Sequence, residues 1–226
     1  MKKGYDLPYD HIELSHMLEK TVVDFSQKYK RTNTHLDHFL SSKCAADILS
    51  LNTFPQKNAA KEITESIACL KALFILRKKQ NCLDDKETIV YIIGDGRKPR
   101  TGICAAFFTR LRIVSIDPNM NTSYINYIEE KEVRNLLCVP KRIEDLSSLY
   151  DIPDNWRSNN SVLIFPHSHA SIQTSLKCLA ASCKRVDVIS LPCCKKDDLA
   201  QEPNITYVDH GVHSPKNVVN IYENVR

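Results

Sequence analysis

Two glycines close an apolar run in the segment Thr88-Ile89-Val90-Tyr91-Ile92-Ile93-Gly94-Asp95-Gly96. A second apolar stretch, Leu111 to Ile116, ends on Asp117, twenty-one residues beyond Gly96. Glycine after a strand lets the backbone turn sharply and lets a ligand approach with no Cβ in the way. The free N–H groups of a helix starting near Pro99 to Gly102 would favour negative charge at its mouth. An acid at the end of the next strand can accept hydrogen bonds from both hydroxyls of a ribose. Strand, glycine turn, helix, strand and acid together make a site for a nucleotide-type cofactor, with Gly94, Asp95, Gly96 and Asp117 as its candidate residues. Asp117 read alone is also a turn residue before Pro118. Asp145, in Lys141-Arg142-Ile143-Glu144-Asp145, is placed either to face an adenine amino group or to belong to a solvated charge cluster or a helix start.

Three further groups could do chemistry. Pro166-His167-Ser168-His169 follows a later strand, and a histidine there can move a proton near neutrality. Leu191-Pro192-Cys193-Cys194 follows the next strand, and Asp209-His210-Gly211-Val212-His213 the one after. In a parallel sheet all three share one rim. A metal site from these residues, and with it a metal-dependent enzyme, is conceivable, but no two of them have zinc-ribbon spacing and Cys193 and Cys194 are expected to point in different directions, so no metal is assigned. Arg97, Lys98 and Arg100 crowd the glycine turn. They suit a phosphate at a helix N-terminus, a nucleic-acid backbone passing the rim, or plain solvated surface.

The elements that must position these residues fall into two regions. Residues 1–87 hold no convincing strand. Helical spacing of apolar residues runs through His11 to Lys30, Thr34 to Leu51 and Asn58 to Lys79, the last with Ile63, Ile67, Leu70, Phe74 and Ile75 on one side. This helical N-terminal region is either a cap beside a sheet or a separate binding module. Residues 88–226 alternate strands and helices. Strands are expected at Thr88–Ile93, Arg112–Ile116, Asn135–Cys138, Ser161–Phe165, Val186–Ser190, Ile205–Val208 and Val218–Tyr222. Helices are expected at Thr101–Arg110, Ser123–Lys131 and Ala170–Ser182. The pattern implies a mostly parallel sheet covered on both faces. The nine residues Asp209–Asn217 are too few for a helical crossover, so the last two strands are expected to pair antiparallel.

The chain has 226 residues, 42% hydrophobic and 26% charged, with a formal charge of +4. That composition supports a core and permits a polyanionic partner without demanding one. No apolar stretch approaches the ~20 residues needed to span a bilayer. The N-terminus lacks an apolar h-region behind its lysines, and seven of the nine cysteines stand singly among apolar neighbours. An intracellular protein of a reducing compartment, most simply the cytoplasm, is expected.

With Gly94-Asp95-Gly96, Asp117, Asp145 and the terminal strand pair in view, residues 88–226 resemble the Rossmann-like S-adenosylmethionine-dependent methyltransferases. The pairing of His167-Ser168-His169 with Pro192-Cys193-Cys194 is similar to a subgroup with a Pro-Cys-Cys after strand five, several of whose members act on or with RNA. The resemblance implies an α/β fold with a seven-stranded, mostly parallel sheet and an antiparallel last strand. It implies S-adenosylmethionine as cofactor, with Gly94 and Gly96 on its methionine side, Asp117 on its ribose, Asp145 near its adenine, and the turn of His167 and His169 facing the methyl group and substrate. RNA or a protein partner is expected at the basic rim and the N-terminal helices. Arg97-Lys98-Pro99 occupies the place of a third glycine, and no Asn/Asp-Pro-Pro-Tyr motif follows strand four. A non-catalytic scaffold and a different nucleotide-binding enzyme therefore stay beside the methyltransferase reading.

Overall fold

A computed structural model describes residues 34–81, 88–146, 152–153, 156, 158–179, 183–194 and 197–225. The helix expected over His11 to Lys30 and the residue Cys82 lie outside them. The elements in chain order are α1 (Thr34–Ser41), α2 (Ala45–Ser50), α3 (Ala59–Lys79), β1 (Thr88–Ile93), α4 (Arg100–Phe108), β2 (Arg112–Ile116), α5 (Thr122–Glu130), β3 (Leu136–Val139), a 3₁₀ turn (Ile143–Asp145), β4 (Asn160–Pro166), α6 (Ile172–Leu179), β5 (Arg185–Leu191), β6 (Ile205–Val208) and β7 (Val218–Tyr222).

The sheet has seven strands in the order β3-β2-β1-β4-β5-β7-β6. The first five pair in parallel, and β7 runs antiparallel between β5 and β6. Strands β1 and β4 are neighbours, so the order reverses between them. In an open α/β sheet, ligands bind outside the carboxyl ends of the strands at that reversal. The expected antiparallel terminal pair is present because the chain between β6 and β7 holds no crossover helix.

Side-chain alternation along the strands sorts two cores onto the two faces. Val90, Ile92, Ile113, Ile164, Ile189 and Ile221 pack with the N-terminal helices and α4. Ile89, Tyr91, Ile93, Val114, Leu163 and Val188 pack with Ile172 and Leu179 of α6. Both sets are apolar because a parallel sheet is covered on both sides.

Two expectations about the helices change. Thr34 to Leu51 reads as one helix but forms two. Ser42 turns its own N–H and hydroxyl back onto the Phe39 carbonyl, at 3.1 and 2.6 Å, which competes with helical pairing. Helix α3 is not apolar on one side only. It is buried almost all round from Ile63 to Leu73, Glu65 and Lys71 included. Those two charges enter the interior with partners, as buried charges must. Among the described residues, no helix is long and apolar enough to cross a membrane.

Candidate active site

The glycine turn joins β1 to α4 with both glycines at positive φ, +79° at Gly94 and +83° at Gly96. The two serve different ends. A Cβ at Gly94 would lie 2.2 Å from Ser168 Oγ and 2.7 Å from Ser168 Cβ. Gly94 thus makes room for the turn after β4. A Cβ at Gly96 would meet only Arg100, at 3.6 Å, so the turn stays open there. The Gly96 N–H donates to Asp117 Oδ2 at 2.9 Å, and the Asn119 N–H donates to Asp117 Oδ1 at 2.7 Å. Asp117 ties the glycine turn to the end of β2. Each of its oxygens keeps a lone pair for a further donor.

Asp95 faces inward. Its carboxylate accepts the Thr101 and Gly102 N–H groups at 2.9 and 2.8 Å and the Ser115 hydroxyl at 2.8 Å. Burial pushes this acid above its ordinary carboxylate value, against the pull of those three donors. The N-terminus of α4 is therefore already capped by a carboxyl group of the chain itself. The three basic residues beside it do not converge. Arg97 is exposed, Lys98 donates to the Asn52 carbonyl and lies over the Tyr124 ring, and Arg100 pairs with Glu62 at 2.9 Å. A phosphate at this helix start would have to displace Asp95.

Sequence reasoning missed the fourth wall. Helix α3 brings Lys61, Glu62 and Glu65 over the turn, where they face Gly94, Gly96, Arg100, Pro166 and His167 across a cavity of about 210 Å³. His167 Nε2 lies 2.9 Å from Glu65 Oε1, and Lys61 Nζ lies 2.9 Å from the same oxygen. Burial tends to raise the Glu65 carboxyl, but His167 and Lys61 outweigh it and hold it below its ordinary value. His167 has φ +53°, and both of its ring nitrogens are buried with no well-aligned hydrogen bond among the described residues, so the 2.9 Å approach to Glu65 is an ion-pair contact. A non-glycine residue held in that region marks a place where structure over-determines the backbone. Little in the sequence marks this wall: Glu65 stands between Thr64 and Ser66, as on an ordinary polar helix face, and only its burial in the fold demands a partner.

The remaining candidates lie elsewhere on the rim. Asp145 is exposed on the 3₁₀ turn after β3 and does not line the cavity. His169 turns away from His167. Its Nε2 lies 3.4 Å from Cys194 Sγ, beside a second cavity of about 180 Å³ at the ends of β4 and β5. Cys193 and Cys194 do not diverge as expected. Their sulfurs and the His169 ring lie with ligand atoms within 4.8 Å of one another. The pair sits in a bend past β5, where strand alternation no longer separates neighbours.

No protein-family model and no curated protein sequence matches the chain. Among solved structures, the chain is similar to a point mutant of MtNAS in complex with S-adenosylmethionine, at 13% identity and TM-score 0.48, over 95% of this chain and 80% of that one. It is also similar to an rRNA methylase from Streptococcus thermophilus, at 13% identity and TM-score 0.41, over 69% and 97%. A third is the plantazolicin methyltransferase BpumL in complex with SAH, at 12% identity and TM-score 0.36, over 79% and 62%. The seven-stranded, mostly parallel sheet with its antiparallel last strand is the fold that the resemblance of the sequence implies.

Proposed function

We propose that this chain binds S-adenosylmethionine at the glycine turn and transfers its methyl group to a nucleophile on RNA. The observation that carries the reading is the mixed-charge cavity between α3 and the glycine turn. Lys61 and Arg100 offer cations, Glu62 and Glu65 offer anions, and Gly96 leaves a Cβ-free approach. A zwitterionic amino-acid end is the ligand chemistry that both signs together fit. Asp117, with one lone pair left on each oxygen, sits where the ribose hydroxyls would be held.

When bound, the cofactor supplies a methyl carbon on a positively charged sulfur. Gly94, Gly96 and Asp117 would hold it, and an acceptor lone pair would take the methyl carbon as the carbon–sulfur electron pair returned to a sulfur left neutral. His167, which lines the cavity with Glu65 behind it, takes the proton that the acceptor sheds. Glu65 fixes the ring and stabilises it when charged, as a carboxylate behind a catalytic imidazole does. The rest of the rate comes from in-line positioning in a site short of water. RNA is proposed as the acceptor because Arg97, Lys141 and Arg142 are exposed on the loops past β1 and β3, on the rim where phosphates would pass.

A second reading is a scaffold of the same fold without catalysis. It is favoured by the pairing of the cavity's own charges, Arg100 with Glu62 and Lys61 and His167 with Glu65, which a ligand must rearrange. Titration calorimetry with S-adenosylmethionine separates the two. Saturable binding, weakened by roughly 1–3 kcal/mol in Asp117→Ala, is expected. No heat at millimolar cofactor would sink the enzyme reading and leave the scaffold.

A further inference from the structure

We propose that His169, Cys193 and Cys194 form a three-ligand site for a thiophilic divalent cation of the zinc class. The inference stands on this cluster alone and does not depend on S-adenosylmethionine binding. Two thiolates and an imidazole are a donor set that selects zinc over harder cations such as magnesium or calcium. Their candidate donor atoms already lie within 4.8 Å of one another. The distance from Cys194 Sγ to His169 Nε2 is 3.4 Å. Around a tetrahedral zinc, with bonds of about 2.3 Å to sulfur and about 2.0–2.1 Å to nitrogen, such a pair would stand about 3.5 Å apart. Two sulfurs would stand about 3.8 Å apart on the same geometry, so closing the site needs a change of roughly 1.3 Å at most in any pair of ligand atoms.

The loops that carry the ligands are held in place by other residues, which is how a binding site differs from a chance meeting of side chains. His169 lies between β4 and α6, and the cysteines lie past β5. Asp198 bridges the two loops, accepting the Ile172 N–H at 2.8 Å and the Ser171 hydroxyl at 2.5 Å. Asp197 anchors the cysteine loop to the sheet through Ser190, Asn220 and Tyr222, at 2.6, 2.9 and 2.6 Å. The His167 N–H donates to the Leu191 carbonyl at 3.1 Å, locking the two strand ends in register. Both acids position the loops and lie outside the group of ligand atoms that meet, so the donor set is the histidine and the two thiols. His169 and Cys194 are exposed, which leaves the fourth position of a tetrahedral ion open to water or to an acceptor group. Three protein ligands with an open position is the arrangement of catalytic rather than structural zinc.

The test is cobalt titration of the full-length, metal-stripped, reduced protein, followed by zinc competition. One equivalent of Co²⁺ with thiolate-to-cobalt charge-transfer absorption, displaced by Zn²⁺, is expected. Cys194→Ser and Cys193→Ser should each lower that absorption by at least about half and the double variant should abolish it, while Cys178→Ser should keep it. Loss of a ligand is expected to weaken zinc binding by more than the roughly 10–100-fold that removal of an outer partner costs. Cys194 is exposed, so its serine variant is expected to fold, and circular dichroism checks that it does. Absence of thiolate absorption in the wild type, or its survival at full strength in both serine variants, overturns the proposal.

Discussion

Replacing Gly94 by alanine tests whether the glycine turn and the histidine turn are one packed unit. Two costs follow from the geometry. Alanine at φ +79° enters a left-handed conformation that costs an L-residue about 1–2 kcal/mol. Its Cβ would also lie 2.2 Å from Ser168 Oγ and 2.7 Å from Ser168 Cβ, so the turn after β4 must move. Overpacking of that kind costs about 1–3 kcal/mol. Alanine regains about 0.4–1 kcal/mol by restricting the unfolded chain. The net expectation is a loss of about 2–4 kcal/mol. Gly96→Ala shares the backbone term, at φ +83°, but meets only Arg100 at 3.6 Å, so about 1 kcal/mol is expected.

A double-mutant cycle in urea separates the terms. Ser168→Gly removes the atoms that the new Cβ would strike, together with the hydrogen bond that the Ser168 hydroxyl accepts from the Ala170 N–H. Combined with Gly94→Ala it should restore the overpacking share, giving a favourable coupling of about 1–3 kcal/mol. The backbone share, about 1 kcal/mol, should persist in the double variant. A coupling near zero would refute the reasoning, because the cost would then lie in the backbone alone. So would equal losses at Gly94 and Gly96.

Two other outcomes are expected. Asp209 accepts from His35 at 2.8 Å and Lys71 at 3.1 Å with no exposed side-chain surface, and those partners outweigh burial to hold its carboxyl at about 2. Against an unfolded value near 3.9, that depression contributes about 2–3 kcal/mol, present above about pH 4 and lost as pH falls toward about 2. Asp209→Asn should cost about 3–5 kcal/mol at neutral pH, and denaturation curves of variant and wild type should converge on acidification; a constant gap would remove the linkage. His167→Ala should lower single-turnover methyl transfer by about 10²–10⁴-fold with cofactor affinity nearly unchanged in calorimetry, and retained transfer would exclude it as the proton acceptor.

The sheet was legible because its signals are local. Alternation, apolar runs and glycine punctuation placed each strand within a residue or so, from Thr88–Ile93 to Val218–Tyr222. The short link after β6 decided the antiparallel pair. What stayed hidden depends on contacts distant in sequence. Ser168 as the reason for Gly94, seventy-four residues away, leaves no trace in either neighbourhood. Asp95 read as a cofactor-facing residue of the turn. Only the tertiary path of β2 brings Ser115 to it and commits its carboxylate to the start of α4. The break at Ser42 was hidden for another reason. A serine that bonds its own backbone can end a helix or ride within one, and the sequence does not distinguish the two.

The position of α3 changes how the cleft must work. Lys61, Glu62 and Glu65 come from a helix that precedes β1, yet they form a wall of the cavity that β1 and β4 open. The same helix carries Lys71 to Asp209 at the end of β6, six residues beyond Glu65. One helix therefore links the cavity to the edge strand β6 of the sheet. Glu65 is bound to Lys61 on its own helix and to His167 on the opposite wall. A ligand that draws Lys61 or Glu65 toward itself must weaken the hold on the imidazole. A ligand that leaves both in place keeps His167 oriented with its Nδ1 unpartnered among the described residues. Occupancy of the cavity and the poise of the histidine are thus linked through a single carboxylate. The helix that supplies it is part of the site, and an account built only on the glycine turn and the strand ends would leave it out.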